Sequence, residues 1–287
     1  FTIHGFCQRV LREHALESGQ LFDAELTGDL AMIKQACADD FWRKQVYQRS
    51  AWEVAVLTAD FNTPDALLAS VAVFPGNGLG KYSQISVYPV CESLDTALEE
   101  LQRQSDSAKD QLDDCANVLR DCFADEKFKT SYTDTFDFHY GSLSAWMQGA
   151  STQIPSCDAF MLLTKDGLMN ALHGNKFRTN KTQSGDQRKA EYLAELAIDT
   201  SAFDALAVAI KQITLVFRKT LLDSLREELD KRLQQLNVLS FDDLISRLAE
   251  ALQSEKGALL TAELQQRFGV ALIDEFPDKY VYLCVLK

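Results

Sequence analysis

Residues 201–236 read SAFDALAVAIKQITLVFRKTLLDSLREELDKRLQQL, a stretch that contains neither Gly nor Pro. Apolar side chains recur in it at every third or fourth position, which is the spacing of one face of an α-helix. They are Phe203, Leu206, Ile210, Ile213, Phe217, Leu221, Leu225, Leu229, Leu233 and Leu236. At 1.5 Å per residue such a helix would be on the order of 50 Å long. The stretch predicts a mainly α fold.

Residues 94–122 carry the most regular pattern in the chain, a seven-residue repeat of apolar or small side chains that continues over four heptads. Its positions are Leu94, Leu98, Leu101, Ser105, Ala108, Leu112, Cys115, Leu119 and Cys122. One interpretation is a coiled-coil dimer, and the other is a long helix packed against another helix of the same chain. We favour the second, with residues 201–236 as the partner, because small or polar residues weaken the centre of the repeat. Together the two stretches predict an elongated helical subdomain.

The charge of the chain is unevenly distributed. Its 287 residues carry a formal net charge of −13, and 46% of them are hydrophobic, as in an ordinary globular protein. The net charge argues against a non-specific nucleic-acid binder, because binding to phosphates requires surplus Lys and Arg. One short segment, residues 176–189, is nevertheless basic: it holds Lys176, Arg178, Lys181, Arg188 and Lys189 against Asp186. A basic loop with an interleaved aromatic residue is typical of a contact to a nucleic-acid backbone, and a solvated surface loop remains the alternative.

The seven cysteines are an odd number without CxxC spacing, which favours reduced thiols in a cytoplasmic protein over disulfides or a zinc site. No apolar run approaches the length of a membrane-spanning helix. The first residues lack the pattern of a signal peptide. They also lack an initiator Met, so we expect the chain to be a piece of a longer protein.

Near the end of the chain, the apolar run Val270-Ala271-Leu272-Ile273 is directly followed by two acids. A short apolar run of this kind predicts a strand buried in a parallel sheet. Carboxylates at the carboxyl end of such a strand lie where open α/β sheets bind ligands. In P-loop NTPases an acid at this place holds Mg²⁺. Asp274 and Glu275 are therefore candidate catalytic residues.

Three sequence segments carry a resemblance to a known family. Residues 270–278, VALIDEFPD, resemble motif II of superfamily 1 helicases. Residues 239–248, LSFDDLISRL, resemble the Phe-Asp-Asp-Leu helix of that family. Residues 1–9, FTIHGFCQR, resemble its Thr-x-His-x-Phe element, a contact to single-stranded DNA, in the form found in the RecB branch. The chain thus resembles the beta subunits of exodeoxyribonuclease V.

This resemblance implies a domain organisation. Residues 1–20 and 237–278 would be partial strips of a RecA-like α/β ATPase domain, and residues 21–236 would be the helical insertion called subdomain 1B. Residues 279–287 match nothing in the family and form a divergent tail. The Walker A loop would lie before residue 1, and the second motor domain and the nuclease domain after residue 278. We therefore expect these 287 residues alone to bind neither ATP nor Mg²⁺ and not to hydrolyse ATP.

The resemblance also implies functional residues. In the intact helicase Asp274 and Glu275 would coordinate Mg²⁺ and activate water for ATP hydrolysis, although Pro277 replaces the family's nucleotide-sensing Gln. Thr2 and His4 would contact DNA, as would the five basic residues of 176–189.

The implied activity is ATP-dependent unwinding of DNA ends in double-strand-break repair and recombination. The gamma and alpha subunits of exodeoxyribonuclease V would be its partners, and the 287 residues alone would bind DNA weakly. The alternative is a free-standing acidic helical module that binds a protein partner through residues 94–122.

Overall fold

The computed structural model describes residues 2–14, 25–27, 30–72, 91–178, 183–236, 238–254 and 257–268. These residues are mainly helical, as predicted. The helices are α1 (Ile3–Glu13), α2 (Ala31–Val46), α3 (Ala51–Thr58), α4 (Pro64–Ala72), α5 (Leu94–Cys122), α6 (Thr130–Met147), α7 (Cys157–Met161), α8 (Lys165–Ala171), α9 (Gly185–Glu195), α10 (Ser201–Leu236), α11 (Phe241–Gln253) and α12 (Gly257–Arg267). A 3₁₀ turn covers Phe123–Asp125, and the strands are β1 (Glu25–Thr27) and β2 (Val238–Ser240).

The described residues form two compact units. The first unit comprises those up to residue 40, residue 72 and those from residue 222 onwards. The second comprises those from 41 to 71 and from 91 to 221. The division falls within α2, before the last residue of α4, and within α10. The boundaries predicted from the family resemblance, at residues 20 and 236, stay a prediction.

The two long helices have the bounds that their sequence patterns predict. Helix α10 spans Ser201–Leu236 without interruption, since no Gly or Pro breaks it. Helix α5 begins at a capping box, in which the Ser93 and Thr96 side chains each accept a hydrogen bond from the other residue's backbone N–H. The cap satisfies backbone donors that the first turn would otherwise leave unpaired.

The heptad positions of α5, except the half-buried Cys122, are buried within the chain itself. Leu101 and Leu119 are 0% exposed and Ser105 is 3% exposed. Helix α6 packs beside α5, where Arg120 forms a 2.8 Å ion pair with Asp137. Packing within the chain, which the weak centre of the repeat favoured, is thus confirmed over a coiled-coil dimer. The helix seen beside α5 is α6, and the pairing of α5 with α10 that the sequence predicted stays a prediction. The alternative of a partner-binding module required this face of residues 94–122 to be exposed, and its burial argues against that alternative.

The first unit joins helix α1 and strand β1 to strand β2 and helices α11 and α12, which come more than 200 residues later in the sequence. Strands β1 and β2 pair in parallel, with Leu26 opposite Leu239. Helix α1 packs on α11 and α12 around one apolar cluster, whose buried members are Cys7, Val10, Leu11, Leu244, Ile245, Leu248, Ala251, Leu260 and Leu264. The predicted strand 270–273 lies outside the described residues. The mainly α class is confirmed, and the RecA-like nature of the flanking segments stays a prediction.

The segment 174–189 differs from the exposed polar loop that its composition predicts. Phe177 is buried, and α9 begins at Gly185 because Ser184 and Gln187 form a capping box. Arg188 and Lys189 therefore lie on a helix and not in a loop. Among the described helices, none is long and apolar enough to cross a membrane.

Candidate nucleic-acid interface

Thr2 is the N-cap of α1. It has extended backbone angles, and its Oγ1 accepts a hydrogen bond of 3.1 Å from the backbone N–H of Gly5. Thr2 is exposed, His4 is half-buried, and the first turn of α1 carries no acidic residue. A helix N-terminus presents unpaired N–H groups and a partial positive charge, both of which favour an anion. This end of α1 is therefore compatible with a phosphate contact.

The apolar cluster of the first unit positions α1. Burial raises the pKa of the Cys7 thiol to about 11, so this side chain is a neutral member of the core and not a nucleophile. At the rim of the cluster the rings of Phe6 and Phe268 meet edge to face, with their centroids 5.4 Å apart. The N-terminus of α1 is thus held on a packed support.

Contacts between polar side chains connect the C-terminal end of α1 to α12. Glu13 accepts a 2.8 Å hydrogen bond from Nε of Arg9 and another from Arg267. These bonds, the one from Arg9 first, hold the pKa of the Glu13 carboxyl below its ordinary value. The neighbouring His14 places Nδ1 2.9 Å from Oε2 of Glu263.

Two of the five basic residues predicted to contact DNA donate hydrogen bonds to backbone oxygens within the second unit. Nζ of Lys189 donates to the backbone oxygen of Met169 at 3.2 Å, and its side chain is only 16% exposed. Nη1 of Arg188 donates to the backbone oxygen of Arg178 at 2.7 Å. These hydrogen bonds fix α9 to its surroundings, which makes Arg188 and Lys189 weak candidates for a DNA contact.

The remaining basic positions lie towards solvent where the structure describes them. Lys176 has a 52% exposed side chain, with Nζ 3.7 Å from a carboxylate oxygen of Glu126, and Arg178 is exposed. Lys181 lies outside the described residues. A surface ion pair such as Lys176–Glu126 is weak, so a phosphate could replace the carboxylate.

The structure adds Lys127 to this group. The backbone oxygen of Lys127 accepts a 2.9 Å hydrogen bond from the N–H of His173, which brings the two segments together. Nζ of Lys127 lies 4.1 Å from the centre of the Tyr192 ring, a cation–π contact, and 3.6 Å from Oδ2 of Asp125. No sequence pattern pointed to Lys127, because it is far along the chain from residues 176 and 178.

The candidate catalytic carboxylates, Asp274 and Glu275, lie outside the described residues. Within the part that the structure describes, no group of three or more His, Cys, Asp or Glu side chains could hold a metal ion.

Comparison with known proteins identifies the family. The UvrD/REP helicase N-terminal domain matches residues 1–283 of the 287. The chain belongs to this helicase family. Within it, the chain is RecB-like: it is 31% identical to the RecBCD enzyme subunit RecB of Escherichia coli (strain K12) over 97% of its own length. It is 24% identical to the same subunit of Haemophilus influenzae, again over 97% of its length.

This helicase-family chain corresponds to a minor part of those relatives. It spans 22% of the length of the Escherichia coli subunit and 24% of the length of the Haemophilus influenzae subunit. A third match, to the RecB subunit of Buchnera aphidicola, is 27% identical over 74 residues.

Proposed function

We propose that this chain is part of the first motor domain of a RecB-like DNA helicase that uses ATP to unwind DNA ends in repair and recombination. The observation that carries the proposal is the match of residues 1–283 to the helicase N-terminal domain. The relatives are subunits of an enzyme named RecBCD. By analogy, the proposed partners are the gamma and alpha subunits of exodeoxyribonuclease V, and the proposed compartment is the cytoplasm.

In this function α1 contacts single-stranded DNA through Thr2 and His4. The position of Thr2 at a helix N-cap supports this role, because backbone N–H groups there favour a phosphate oxygen. The packed support beneath α1 keeps these groups in place without rearrangement on binding.

The RecB-like helicase also uses Asp274 and Glu275 to bind Mg²⁺ with ATP. Carboxylate oxygens are the protein ligands that Mg²⁺ prefers. Bound Mg²⁺ neutralises charge that develops on the phosphates during hydrolysis. The proposal for these two residues rests on their position after an apolar run and on the helicase motif that they match.

The second unit contributes a contact to duplex DNA. Its proposed centre is the basic turn, formed by Lys127, Lys176 and Arg178. Lys176 and Arg178 are solvent-accessible, and Lys127 is held beside them by the backbone bond to His173. Lys181 belongs to the proposed contact by sequence alone. Arg188 and Lys189 support the turn through their bonds to backbone oxygens.

A pair of charge-reversed variants tests this contact. We expect K176E/R178E to lower the affinity of the full chain for duplex DNA by about tenfold or more at low salt, and to reduce the slope of log K against log salt by about one for each lost phosphate contact. The measurement is fluorescence anisotropy of a labelled duplex at two salt concentrations.

The matched control is R103E/K109E, which makes the same change in net charge on the exposed surface of α5. It should change the affinity by less than about threefold, because screening weakens charges distant from the contact. An equal loss in both variants would show that only net charge matters, and would rule out the basic turn as a site.

A further inference from the structure

A carboxylate of the chain itself already faces the basic turn. Oε2 of Glu126 lies 3.7 Å from Nζ of Lys176, and the two side chains are 84% and 52% exposed. Beside them, Oδ2 of Asp125 lies 3.6 Å from Nζ of Lys127. Glu126 thus presents to Lys176 an anionic oxygen of the kind that a DNA phosphate would present.

Backbone pairing brings Glu126 to Lys176, although the two residues are 50 positions apart in the sequence. Residues 127–129 pair antiparallel with residues 171–173 through an isolated bridge and backbone hydrogen bonds of 2.8 and 2.9 Å. Glu126 directly precedes the first of these segments, and the turn that holds Lys176 directly follows the second. The fold therefore keeps the carboxylate at the turn, while the exposed side chain itself is free to change rotamer.

Aromatic packing positions the cations. Phe177 is buried, and its ring lies 5.5 Å from the Tyr192 ring, centroid to centroid. Lys176 and Arg178 are exposed on either side of this anchor. Nζ of Lys127 lies 4.1 Å from the centre of the same Tyr192 ring. The basic turn is thus a supported cluster of positive charge, and Glu126 lies at its edge.

The backbone does not require a glutamate at position 126. Glu126 follows the 3₁₀ turn Phe123–Asp125 with φ 52°, in the left-handed region that Gly and Asn adopt more readily. Its N–H donates to the oxygen of Phe123 at 3.3 Å, a bond that any residue except proline could donate. An exposed ion pair adds little to stability. What Glu126 specifically supplies is a negative charge at the basic turn.

We propose that Glu126 is an internal competitor of DNA: its carboxylate must leave Lys176 before a phosphate binds there. The inference rests on the proposed duplex contact and assigns its regulation to an acidic residue. The competitor lowers the affinity of the turn for duplex DNA, and it returns to Lys176 when a phosphate leaves. Such an exchange suits a motor that moves along DNA, because Lys176 keeps an anionic partner between one phosphate and the next.

The test measures the affinity of the full chain for a labelled duplex by fluorescence anisotropy. E126Q keeps the size of the side chain and removes its charge, and we expect it to raise the affinity by about three- to tenfold at low salt. The gain should shrink as salt is added, because screening weakens both the ion pair and the repulsion between Glu126 and DNA. E126G should raise the affinity likewise without lowering the thermal midpoint, since Gly suits the left-handed backbone.

The matched control is E100Q, which removes the exposed pair between Glu100 and Arg103 and makes the same change in net charge. Glu100 precedes Cys122, the end of α5, by 22 residues, or roughly 33 Å of helix, and Lys127 lies beyond that end. At this distance its charge is screened from the basic turn, so E100Q should change the affinity by less than about twofold. An equal gain in E126Q and E100Q would overturn the proposal.

A double-mutant cycle separates competition for Lys176 from general repulsion of DNA. In K176Q the competitor has no cation to occupy, so the addition of E126Q should raise the affinity by less than about twofold. The same gain in both backgrounds would overturn the proposal, and so would an unchanged or lower affinity in E126Q alone. Duplex binding by K176E/R178E as tight as that of wild type would instead refute the proposed contact itself.

Discussion

At the residue scale, Gly167 shows how closely the first turn of α8 packs against the end of α7. Thr164 caps α8 through Oγ1, which accepts a 3.0 Å hydrogen bond from the N–H of Gly167 and donates one of 2.9 Å to the oxygen of Met161. A Cβ atom at position 167 would lie 1.8 Å from that same oxygen. Gly141, in the middle of α6, has no atom within 4 Å of the corresponding position.

The surroundings of Gly167 and Gly141 predict opposite effects of a Gly→Ala substitution on stability. G167A should lower the free energy of unfolding by about 1–3 kcal/mol or more, because the new methyl group forces the backbone apart. G141A should raise it by about 0.5–1 kcal/mol, because Ala loses less conformational freedom in a helix and meets no obstacle. Urea unfolding followed by circular dichroism measures both. Equal effects of one sign would contradict the backbone geometry given for these two positions.

At the element scale, the centre of α5 combines one large side chain with two small neighbours. Leu101 is 0% exposed, and Ser105 and Ala108 follow it on the same face. The small residues, which weaken a two-stranded coiled coil, let the rest of the second unit approach the helix closely. The burial of this face is therefore a property of the single chain.

Shortening single side chains on this face of α5 distinguishes packing within one chain from packing between two copies of it. L101A should lower the free energy of unfolding by about 2–5 kcal/mol, the usual effect of a cavity in a core. V118A, on the same helix but 38% exposed, should change it by less than about 0.5 kcal/mol. Both values should be independent of protein concentration. A thermal midpoint that rises with concentration would indicate that the face is buried between two copies.

At the scale of the whole molecule, carboxylates with lowered pKa values occur in both units. In the first unit, hydrogen bonds from Arg9 and Arg267 lower the pKa of Glu13. In the second, the side chain and backbone of Ser50 lower the pKa of Glu53, and Gln104 with Arg103 lowers that of Glu100. Each such group binds protons less readily in the folded state than in the unfolded state. Their contribution to stability is therefore present above the ordinary carboxyl pKa and is lost as the pH falls through the folded value.

Glu53 tests this pH dependence of stability, since its carboxylate completes the capping box of α3 with Ser50. The thermal midpoint of wild type should exceed that of E53Q above about pH 6, and the difference should shrink as the pH falls below about 5. E53Q changes the formal net charge only from −13 to −12, so the pH dependence of the difference reports mainly on the one carboxylate. A difference that grows towards acidic pH would contradict the direction of the pKa shift.

The sequence by itself determined the two long helices and the family. Helix α10 has the predicted bounds because apolar spacing and the absence of Gly and Pro are local properties, which act between residues three or four positions apart. The helicase motifs at the two ends of the chain are likewise contiguous strings, and the match over residues 1–283 agrees with them. The start of α9 at Gly185 also depends on a local pattern, the capping box of Ser184 and Gln187. The polar composition of the segment indicated a loop instead, so this helix was not predicted.

Only the tertiary structure decided which residues act together. It buried the heptad face within the chain, turned Arg188 and Lys189 towards backbone oxygens, and brought Lys127 to the turn that holds Lys176. It also joined Glu13 to Arg267 across 254 residues. Burial and ion pairing depend on contacts between distant segments. The spacing of residues along one segment indicates which face is buried but does not identify the segment that it contacts.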